Sequence, residues 1–295
     1  KGANKLKKFK FKINTLVMKN INMSEKRIFA AKKFKSDFLA FIDSDASPCV
    51  NWLSKASKKI KSKKLKVIGG PNLPFKDQTF WEKIAYYCKR SFFVTGHYNF
   101  INYKSNSRYC KFLHSSNFII EKKLYNSVGG MDEKIYIGED HDLFFRLNKR
   151  YNELRIYFFE DIFVYHEDRE FKFFLMQRFC YGLNVFTSKN TFTKRLLATI
   201  PFTVIILTIL ILFKFEITLF TIFSALILVS LIIFSEINLY IKNYITSLIT
   251  VICIYLSNLF YGLGTFLYFF GLRKSIEKLI YRNIKKKSSL LSNTF

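Results

Sequence analysis

Hydrophobic and polar positions divide the chain into an alternating first part and an almost wholly apolar last part. Up to residue 195, short apolar runs alternate with polar and charged stretches, whereas segments 196–213, 217–234 and 245–271 carry no charge. A helix of about 20 residues crosses the roughly 30 Å hydrocarbon core of a membrane. Because soluble helices normally keep a polar face, the last part is predicted to form about three transmembrane helices.

The charges that flank these segments indicate two different orientations. Lys189, Lys194 and Arg195 precede the first segment and favour a cytoplasmic first part, since cytoplasmic flanks are enriched in Lys and Arg. The tail after residue 271 is also basic, yet three crossings would put the two flanks on opposite sides. Either the third segment does not cross fully, with a break at Tyr-Gly-Leu-Gly (261–264), or the two flanks compete.

Within the first part, the hydrophobic pattern changes repeatedly between helical and strand spacing. It predicts helices over 24–35, with Ser24 as N-cap, over 51–60 and over Glu139–Arg150. Short apolar runs predict strands over Phe38–Ile42, 65–68, 112–120, 155–159 and 161–165. Strands separated by helices indicate an α/β fold with a parallel-rich sheet. Ligands of such sheets bind at the carboxyl ends of the strands.

The turn after the predicted strand Phe38–Ile42 carries Asp43-Ser44-Asp45. Two carboxylates one residue apart supply the hard oxygen ligands that bind Mg²⁺ or Mn²⁺ and, through the metal, a diphosphate. Asp is also a common turn residue, so the motif alone fits an ordinary turn. His166 follows another predicted strand and is either a packed residue or a third ligand, since a neutral imidazole suits an Mn²⁺ site.

A second acidic group, Glu139-Asp140, stands where a helix is predicted to begin, shortly after Gly129-Gly130. Acidic residues in a first helical turn are stabilised by about 0.3–1 kcal/mol through the helix dipole, so a purely structural role is one interpretation. The functional interpretation is a general base that takes the proton of an acceptor hydroxyl.

Composition narrows the choice of partners. A formal net charge of +27 over 295 residues favours anionic partners, namely nucleotide phosphates, lipid headgroups or nucleic acid. The predicted membrane segments argue against nucleic acid. The five cysteines show no C-x-x-C spacing, which argues against a zinc site or a disulfide framework and favours a reducing compartment.

The motifs, in this order, resemble those of the family-2 glycosyltransferases of GT-A fold, and more narrowly the bacterial membrane-bound members that build surface polysaccharides. The resemblance covers residues 24–182 and rests on Phe-Ile-Asp43-Ser-Asp45, Asn117, Gly-Gly-Met-Asp-Glu (129–133), Gly-Glu-Asp-x-Asp-Leu-x-x-Arg (138–146), Val-Tyr-His166 and Gln177 with Tyr-Gly (181–182). It implies a GT-A domain over 1–185 and a membrane domain over 186–295. It also implies a multi-pass protein of the bacterial inner membrane with a cytoplasmic catalytic domain.

The resemblance implies a role for each acidic motif. Asp43 and Asp45 would bind the metal and the nucleotide, with Asp45 the direct metal ligand and Asp43 near the ribose. His166 would join the shell of the Mg²⁺ or Mn²⁺ ion. Asp140 would be the base for the acceptor hydroxyl, supported by Glu139.

Four further residues are implied to contact substrate. Ser116 and Asn117 fall where the family lines the sugar and acceptor pocket. Gln177 and Arg178 lie where processive members carry Gln-x-x-Arg-Trp, but Cys and Tyr replace that Arg and Trp, so processive polymerisation is not expected. An amphipathic helix at the membrane surface is the other interpretation of this stretch.

The implied function is the inverting, metal-dependent transfer of a sugar from a nucleotide sugar to a lipid-linked or membrane-proximal glycan acceptor. One departure concerns the opening strand and acidic residue with which the family grips the nucleotide base. The chain starts at Lys1 and reaches Asp43 in too few residues to hold that unit, so we expect it to be incomplete at its N-terminus. The alternative function is a catalytically decayed membrane protein whose transferase-like domain serves as a binding or scaffold module.

Overall fold

The computed structural model describes residues 16, 18, 23–135, 137–185, 215–273, 275 and 276. In these residues the helices are α1 (Met23–Lys33), α2 (Trp52–Lys63), α3 (Phe80–Arg90), α4 (Phe92–Thr95), α5 (Lys122–Ser127), α6 (Glu139–Arg150), α7 (Phe171–Leu183), α8 (Phe215–Ile241) and α9 (Tyr244–Phe269), with a 3-10 helix at Gly96–Asn102. The strands are β1 (Phe38–Ile42), β2 (Ala46–Pro48), β3 (Val67–Gly69), β4 (Asn72–Pro74), β5 (Arg108–Cys110), β6 (Asn117–Glu121), β7 (Ile156–Phe158) and β8 (Val164–His166).

The strands form two mixed sheets. The larger has the order β1-β6-β3-β7-β5, in which β3 and β7 are parallel and β6 is antiparallel to both of its neighbours. The smaller has the order β2-β8-β4, with β4 parallel and β2 antiparallel to β8. The predicted α/β class is confirmed, with parallel pairs in both sheets, although the antiparallel pairs outnumber them.

Two predicted boundaries are wrong for reasons of tertiary structure. The strand expected over 112–120 begins only at Asn117, because Phe112 and Leu113 are buried in a loop by side-chain packing without joining a sheet. Ser24 lies inside α1 instead of capping it, and its hydroxyl donates a hydrogen bond to the carbonyl oxygen of Ile135 at 3.0 Å.

The main core lies between the larger sheet and α6, and aromatic side chains dominate it. The ring of Phe118 is 4.7 Å from that of Phe41 and 5.3 Å from that of Phe144 between centroids, and Leu143 and Ile120 are fully buried beside them. Full burial of such a side chain contributes about 1.5–3 kcal/mol. This packing fixes the start of α6 near the carboxyl end of β1, where the predicted site lies.

Two described helices are long and apolar enough to cross a membrane, over Ile222–Ile241 and Tyr244–Phe269. The first predicted segment, 196–213, lies outside the described residues. The break considered at 261–264 is absent, since α9 continues through it.

Gly264 in that stretch serves close helix packing instead of a break. A Cβ atom at Gly264 would lie 2.1 Å from the carbonyl oxygen of Phe179, and one at Gly182 would lie 1.9 Å from that of Tyr261. Helices α7 and α9 therefore touch backbone to backbone, which only small residues allow.

The apolar helices also pack directly on the α/β part. Ile84 of α3 and Phe174 of α7 share one buried cluster with Ile237 of α8 and Ile254 of α9. The carboxylate of Glu236 in α8 accepts hydrogen bonds at 2.7 Å from the Ser91 hydroxyl and from a backbone N–H of α4. The helices and the α/β part thus share a hydrophobic core and a polar contact.

Candidate active site

Asp43, Asp45 and His166 converge at one end of the two sheets. Strand β2 follows Asp45 directly, and its pairing with β8 places Ala46 opposite His166. The Nε2 atom of His166 lies 3.5 Å from Oδ1 of Asp45 and 3.9 Å from Oδ2 of Asp43. One ligand atom from each of the three residues lies within 4.8 Å of the others, so the predicted metal-binding residues are brought together.

The orientation of His166 suits a metal ligand. Its Nδ1 lies 2.8 Å from the carbonyl oxygen of Glu167, which can only accept a hydrogen bond. Nδ1 must then carry a proton, so Nε2 is the ring nitrogen that faces the two carboxylates and can bind a metal. A donor set of two carboxylates and one imidazole fits Mg²⁺ or Mn²⁺.

Arg27 of α1 bridges this cluster to the second acidic group. Its Nη2 lies 2.6 Å from Oδ1 of Asp43, and its Nη1 lies 2.5 Å from Oε1 of Glu139. Burial by itself raises the pKa of Asp43, but His166 and Arg27 outweigh it and hold that pKa below its ordinary value. The two acidic groups predicted from distant parts of the sequence therefore belong to one site.

Glu139 and Asp140 occupy the first turn of α6, and Gly138 allows the left-handed backbone there with φ of 84°. Asp140 is buried and accepts two backbone hydrogen bonds, from the N–H of Ser115 at 3.1 Å and from that of His141 at 2.8 Å. Its Oδ2 also lies 3.7 Å from Nδ1 of His114. The predicted base is thus held in one orientation at the helix N-terminus.

The surroundings drive the pKa values of the two neighbouring carboxyls apart. Burial alone raises the pKa of Asp140, but His114, His141 and the Ser115 N–H outweigh burial. They hold the pKa of Asp140 well below its ordinary value, so its carboxyl is ionised. Burial and the charge of Asp140 raise the pKa of Glu139, against the opposing charge of Arg27. Two adjacent acids with opposite shifts are typical of an acid–base site.

The glycine pair and the arginine in this motif have a structural role. Arg146 binds Asp142 one turn earlier in α6 at 2.7 Å and donates to the carbonyl oxygen of Gly130 at 2.7 Å. Gly130 has φ of 73° and lies against the ring of Tyr125, where a side chain would clash. These contacts join the turn to α6 and so support the position of Glu139-Asp140.

The structure gives Asn117 a structural role at the start of β6. Its side-chain oxygen accepts from the indole N–H of Trp52 at 3.1 Å, and its amide donates to the carbonyl oxygens of Pro71 and Ile162 at 3.2 and 2.9 Å. Ser116 is also buried and accepts from the Asn72 amide at 2.6 Å. Because the Asn117 amide is fully engaged, we leave Asn117 out of the proposed site.

Gln177 and Arg178 lie on α7 but point in different directions. The Gln177 amide donates to the hydroxyl of Tyr181 at 2.9 Å on the exposed side of the helix. Arg178 is buried against α9, where it donates to the side chain of Asn258 at 3.2 Å and stacks on the ring of Tyr261 at 4.7 Å. Arg178 therefore joins the two helices, whereas Gln177 remains available to a ligand.

A cavity of about 460 Å³ opens beside the metal-type cluster. It is lined by Asp45, by Glu167 and Glu170 of the segment that follows β8, and by Phe173 of α7. It connects the cluster to the start of the helix that packs on the apolar segments. A substrate held at Asp45 would thus lie next to α7.

Two residues of the site were not predicted from the sequence, namely Arg27 and His114. Arg27 falls inside the helix predicted over 24–35, and His114 falls inside the strand predicted over 112–120. The only sequence signal for either is its proximity to a motif, since α1 precedes Asp43 and His114 precedes Asn117. Such a signal does not show which side chain turns inward.

Comparison with known proteins agrees with this geometry. The model of a family described as glycosyl transferase family group 2 matches residues 38–268, which is more than half of the chain. The match includes both acidic groups, His166, α7, α8 and most of α9. No curated protein was found to match the chain.

Proposed function

Because the chain belongs to glycosyl transferase family group 2, we propose that it transfers a sugar, with inversion, from a nucleotide sugar to a hydroxyl of a lipid-linked or membrane-proximal glycan acceptor. The observation that carries this proposal is the bridge from Asp43 through Arg27 to Glu139. It puts a cluster suited to a divalent cation beside a pair of acids suited to proton transfer. A glycosyl transfer needs both, for the leaving diphosphate and for the attacking hydroxyl.

The residues present fit a divalent cation. Asp43, Asp45 and His166 would hold Mg²⁺ or Mn²⁺ by two carboxylates and the free Nε2 lone pair. When bound, such an ion neutralises negative charge on a diphosphate. Arg27, already within 2.6 Å of Asp43, adds a fixed positive charge at the same place.

Asp140 is proposed as the base in a single displacement. Its carboxylate is ionised and is anchored by two backbone N–H groups. It follows Glu139 in α6, which Arg27 joins to the donor cluster. Removing the proton from an acceptor hydroxyl as it attacks contributes typically 10²–10⁴-fold to a rate. A single attack from the opposite face of the sugar inverts the anomeric centre. Glu139 and the Arg27 bridge keep the two halves of the site in register.

The burial pattern of α9 supports a membrane location. Its buried side carries small and polar residues, among them Ser247, Thr250 and Ser257, while its exposed side carries large apolar residues such as Ile252 and Leu259. A soluble helix shows the reverse pattern, whereas a lipid-facing helix packs through small residues and turns large apolar ones outward. This pattern supports a transmembrane location for α9.

The placement of α7 supports an acceptor at the membrane. This helix packs on α9 through Gly182, and its Gln177 side faces away from that contact. With the cavity beside Asp45 ending at Phe173, a lipid-linked acceptor could reach the site along α7. Gln177 is therefore proposed to contact substrate. Ser116 is also proposed to contact substrate, because the family resemblance implies that role for its position. A multi-pass protein of the bacterial inner membrane, with this domain in the cytoplasm and a role in surface polysaccharide synthesis, is the corresponding cellular proposal.

The test is nucleotide release from a panel of UDP-, GDP- and dTDP-sugars by membranes that contain the chain and a lipid extract. We expect release from one donor, loss of release with EDTA, recovery with Mn²⁺ or Mg²⁺, and a fall of at least about 100-fold in Asp140→Asn with donor binding retained. The Asp161→Asn variant, which removes a carboxylate outside the site, controls for loss of charge. No release from any donor would instead favour a decayed domain that only binds.

A further inference from the structure

His114 is the imidazole beside the proposed base, and the mechanism above does not use it. Its Nδ1 lies 3.7 Å from Oδ2 of Asp140, at ion-pair distance. The same carboxylate oxygen accepts the N–H of the next residue, Ser115, at 3.1 Å. Catalytic hydrogen bonds are often long in a substrate-free protein and shorten when substrate binds. The spacing is therefore suited to a proton transfer between the two side chains.

The loop that carries His114 is rigidly held. The backbone N–H of Asn117 donates to the carbonyl oxygen of His114 at 3.0 Å, and Asn117 is itself anchored through its side chain. The His114 ring meets the ring of Phe112 edge to face at 5.1 Å, and Phe112 stacks on His141 at 3.7 Å. The imidazole is thus held next to Asp140 by its backbone hydrogen bond and by its contact with Phe112.

Exposure separates the roles of the two groups. The side chain of Asp140 is 10% exposed, whereas that of His114 is 35% exposed. A proton taken up by Asp140 has to leave before the next turnover, and the buried carboxyl has little contact with water of its own. The imidazole offers a route from the buried carboxyl to solvent.

We propose that His114 and Asp140 form a proton relay, in which Asp140 takes the proton of the acceptor hydroxyl and His114 passes it to water. This inference rests on the proposed function, because it requires that Asp140 act on an acceptor. The acceptor oxygen bonds to the anomeric carbon while its O–H bond breaks. The bond from that carbon to the diphosphate breaks with its electron pair, and the nucleoside diphosphate leaves.

The proton balance closes without any further reactant. The proton moves from the acceptor to Asp140 and then to Nδ1 of His114 when that nitrogen carries no proton, and the ring releases one proton to water. Both side chains end in the protonation states in which they began. The other titratable groups around Asp140 are Glu139 and His141 from α6 and Tyr181 from α7.

Chemical rescue tests the relay. In the full chain, His114→Ala should lower sugar transfer by about 100-fold while nucleotide-sugar binding stays within about twofold of the parent. Added imidazole should restore at least about a tenth of the parent rate to this variant, because a diffusible base can occupy the vacated place. It should not restore Asp140→Asn.

Two further variants separate the relay from a structural role. His114→Asn keeps a side-chain donor near Asp140 but cannot carry the proton, so it should fold like the parent and transfer as slowly as His114→Ala. His97→Ala removes an imidazole elsewhere and should neither lose activity nor respond to imidazole.

Full activity in either His114 variant overturns the relay, as does a slow, folded His114→Ala that imidazole does not rescue while the parent is active. A parent that transfers no sugar overturns the proposed function itself.

Discussion

Arg27 lies between the two acidic groups of the site, and its charge allows them to be close. Without it, Asp43 and Glu139 would face one another as partly buried carboxylates with no shared cation. Removing one partner of a buried pair costs more than the pair contributes, because the remaining charge is left desolvated. Arg27 is thus expected to stabilise the empty site as well as to assist the reaction.

We therefore expect Arg27→Gln to lower the free energy of unfolding by about 1–3 kcal/mol at neutral pH. Added Mn²⁺ should recover part of this loss, because a cation between the carboxylates replaces the missing charge. Chemical denaturation in detergent, with and without Mn²⁺, measures both effects. Arg155→Gln, which removes an exposed guanidinium, should have little effect. An equal loss in both variants would show that Arg27 is an ordinary surface charge.

The ionised state of Asp140 predicts how its contribution to stability depends on pH. Its folded pKa is lowered from the ordinary 3.8, so its carboxylate stabilises the folded state fully above pH 3.8 and progressively less as the pH falls through the folded value. Asp140→Asn should therefore cost about 1.5–3 kcal/mol at pH 6 and clearly less near pH 3. Unfolding curves of parent and variant at both values provide the measurement. A cost that does not change with pH would exclude the carboxylate charge as its source.

At the residue scale, the sequence predicts the site residues that belong to a short local motif. Asp43 and Asp45 follow a strand, and the structure brings them to His166 as expected. Arg27 and His114 could not be predicted, because their function depends on which way α1 and a loop turn in three dimensions. Asn117 differs from both groups. It was predicted to contact substrate, but in the structure its side chain makes hydrogen bonds that hold neighbouring loops and strands together.

At the element scale, the contact between α7 and α9 depends on two glycines. A methyl group at Gly264 would meet a backbone oxygen, which cannot move aside as a side chain can. We expect Gly264→Ala to lower stability by about 1–3 kcal/mol, the usual cost of overpacking. Sugar transfer should fall as well, because α7 borders the cavity beside Asp45.

Leu263→Ala is the matched control, since Leu263 is next in sequence but exposed. The midpoint of thermal unfolding and the rate of sugar transfer are measured for both variants, and both should fall further in Gly264→Ala than in Leu263→Ala. Equal behaviour of the two variants would mean that the helices do not touch as closely as their backbone positions indicate.

The elements that the sequence predicts well are those with a strong local pattern. Strand β1 and helix α6 occupy the predicted residues, Phe38–Ile42 and Glu139–Arg150, because each begins and ends at clear polar or turn residues. The stretch 112–116 has the same apolar character as a strand but is buried in a loop. The glycines near 264 likewise suggested a break, because sequence alone does not show that another helix lies against them.

At the scale of the whole molecule, the α/β part and the apolar helices form one structure. Their shared core includes residues of α3, α7, α8 and α9, and Glu236 of α8 binds the N-terminus of α4. The candidate active site thus has a fixed position relative to the apolar helices, as the proposed lipid-linked acceptor would require. The net charge of +27 agrees with this placement, since anionic headgroups and nucleotides are both attracted by it.

The outward face of α9 allows a direct test of this placement. Ile252 is 55% exposed near the middle of the helix, and Leu272 is 44% exposed just beyond its end. In a lipid environment, a lysine at the helix centre costs about 2.5–3.5 kcal/mol, whereas one at the end reaches the headgroups. In water, both substitutions would be tolerated and would improve solubility.

We therefore expect Ile252→Lys, but not Leu272→Lys, to reduce the fraction of full-length chain that stays in membranes after alkaline carbonate extraction. Equal retention of the two variants would mean that α9 does not lie in lipid at position 252. Release of the parent protein by carbonate would mean that neither α8 nor α9 lies in lipid. The contrast between the two positions, and not the hydropathy of the helix, then determines whether this glycosyltransferase domain is anchored where an acceptor lipid would reach it.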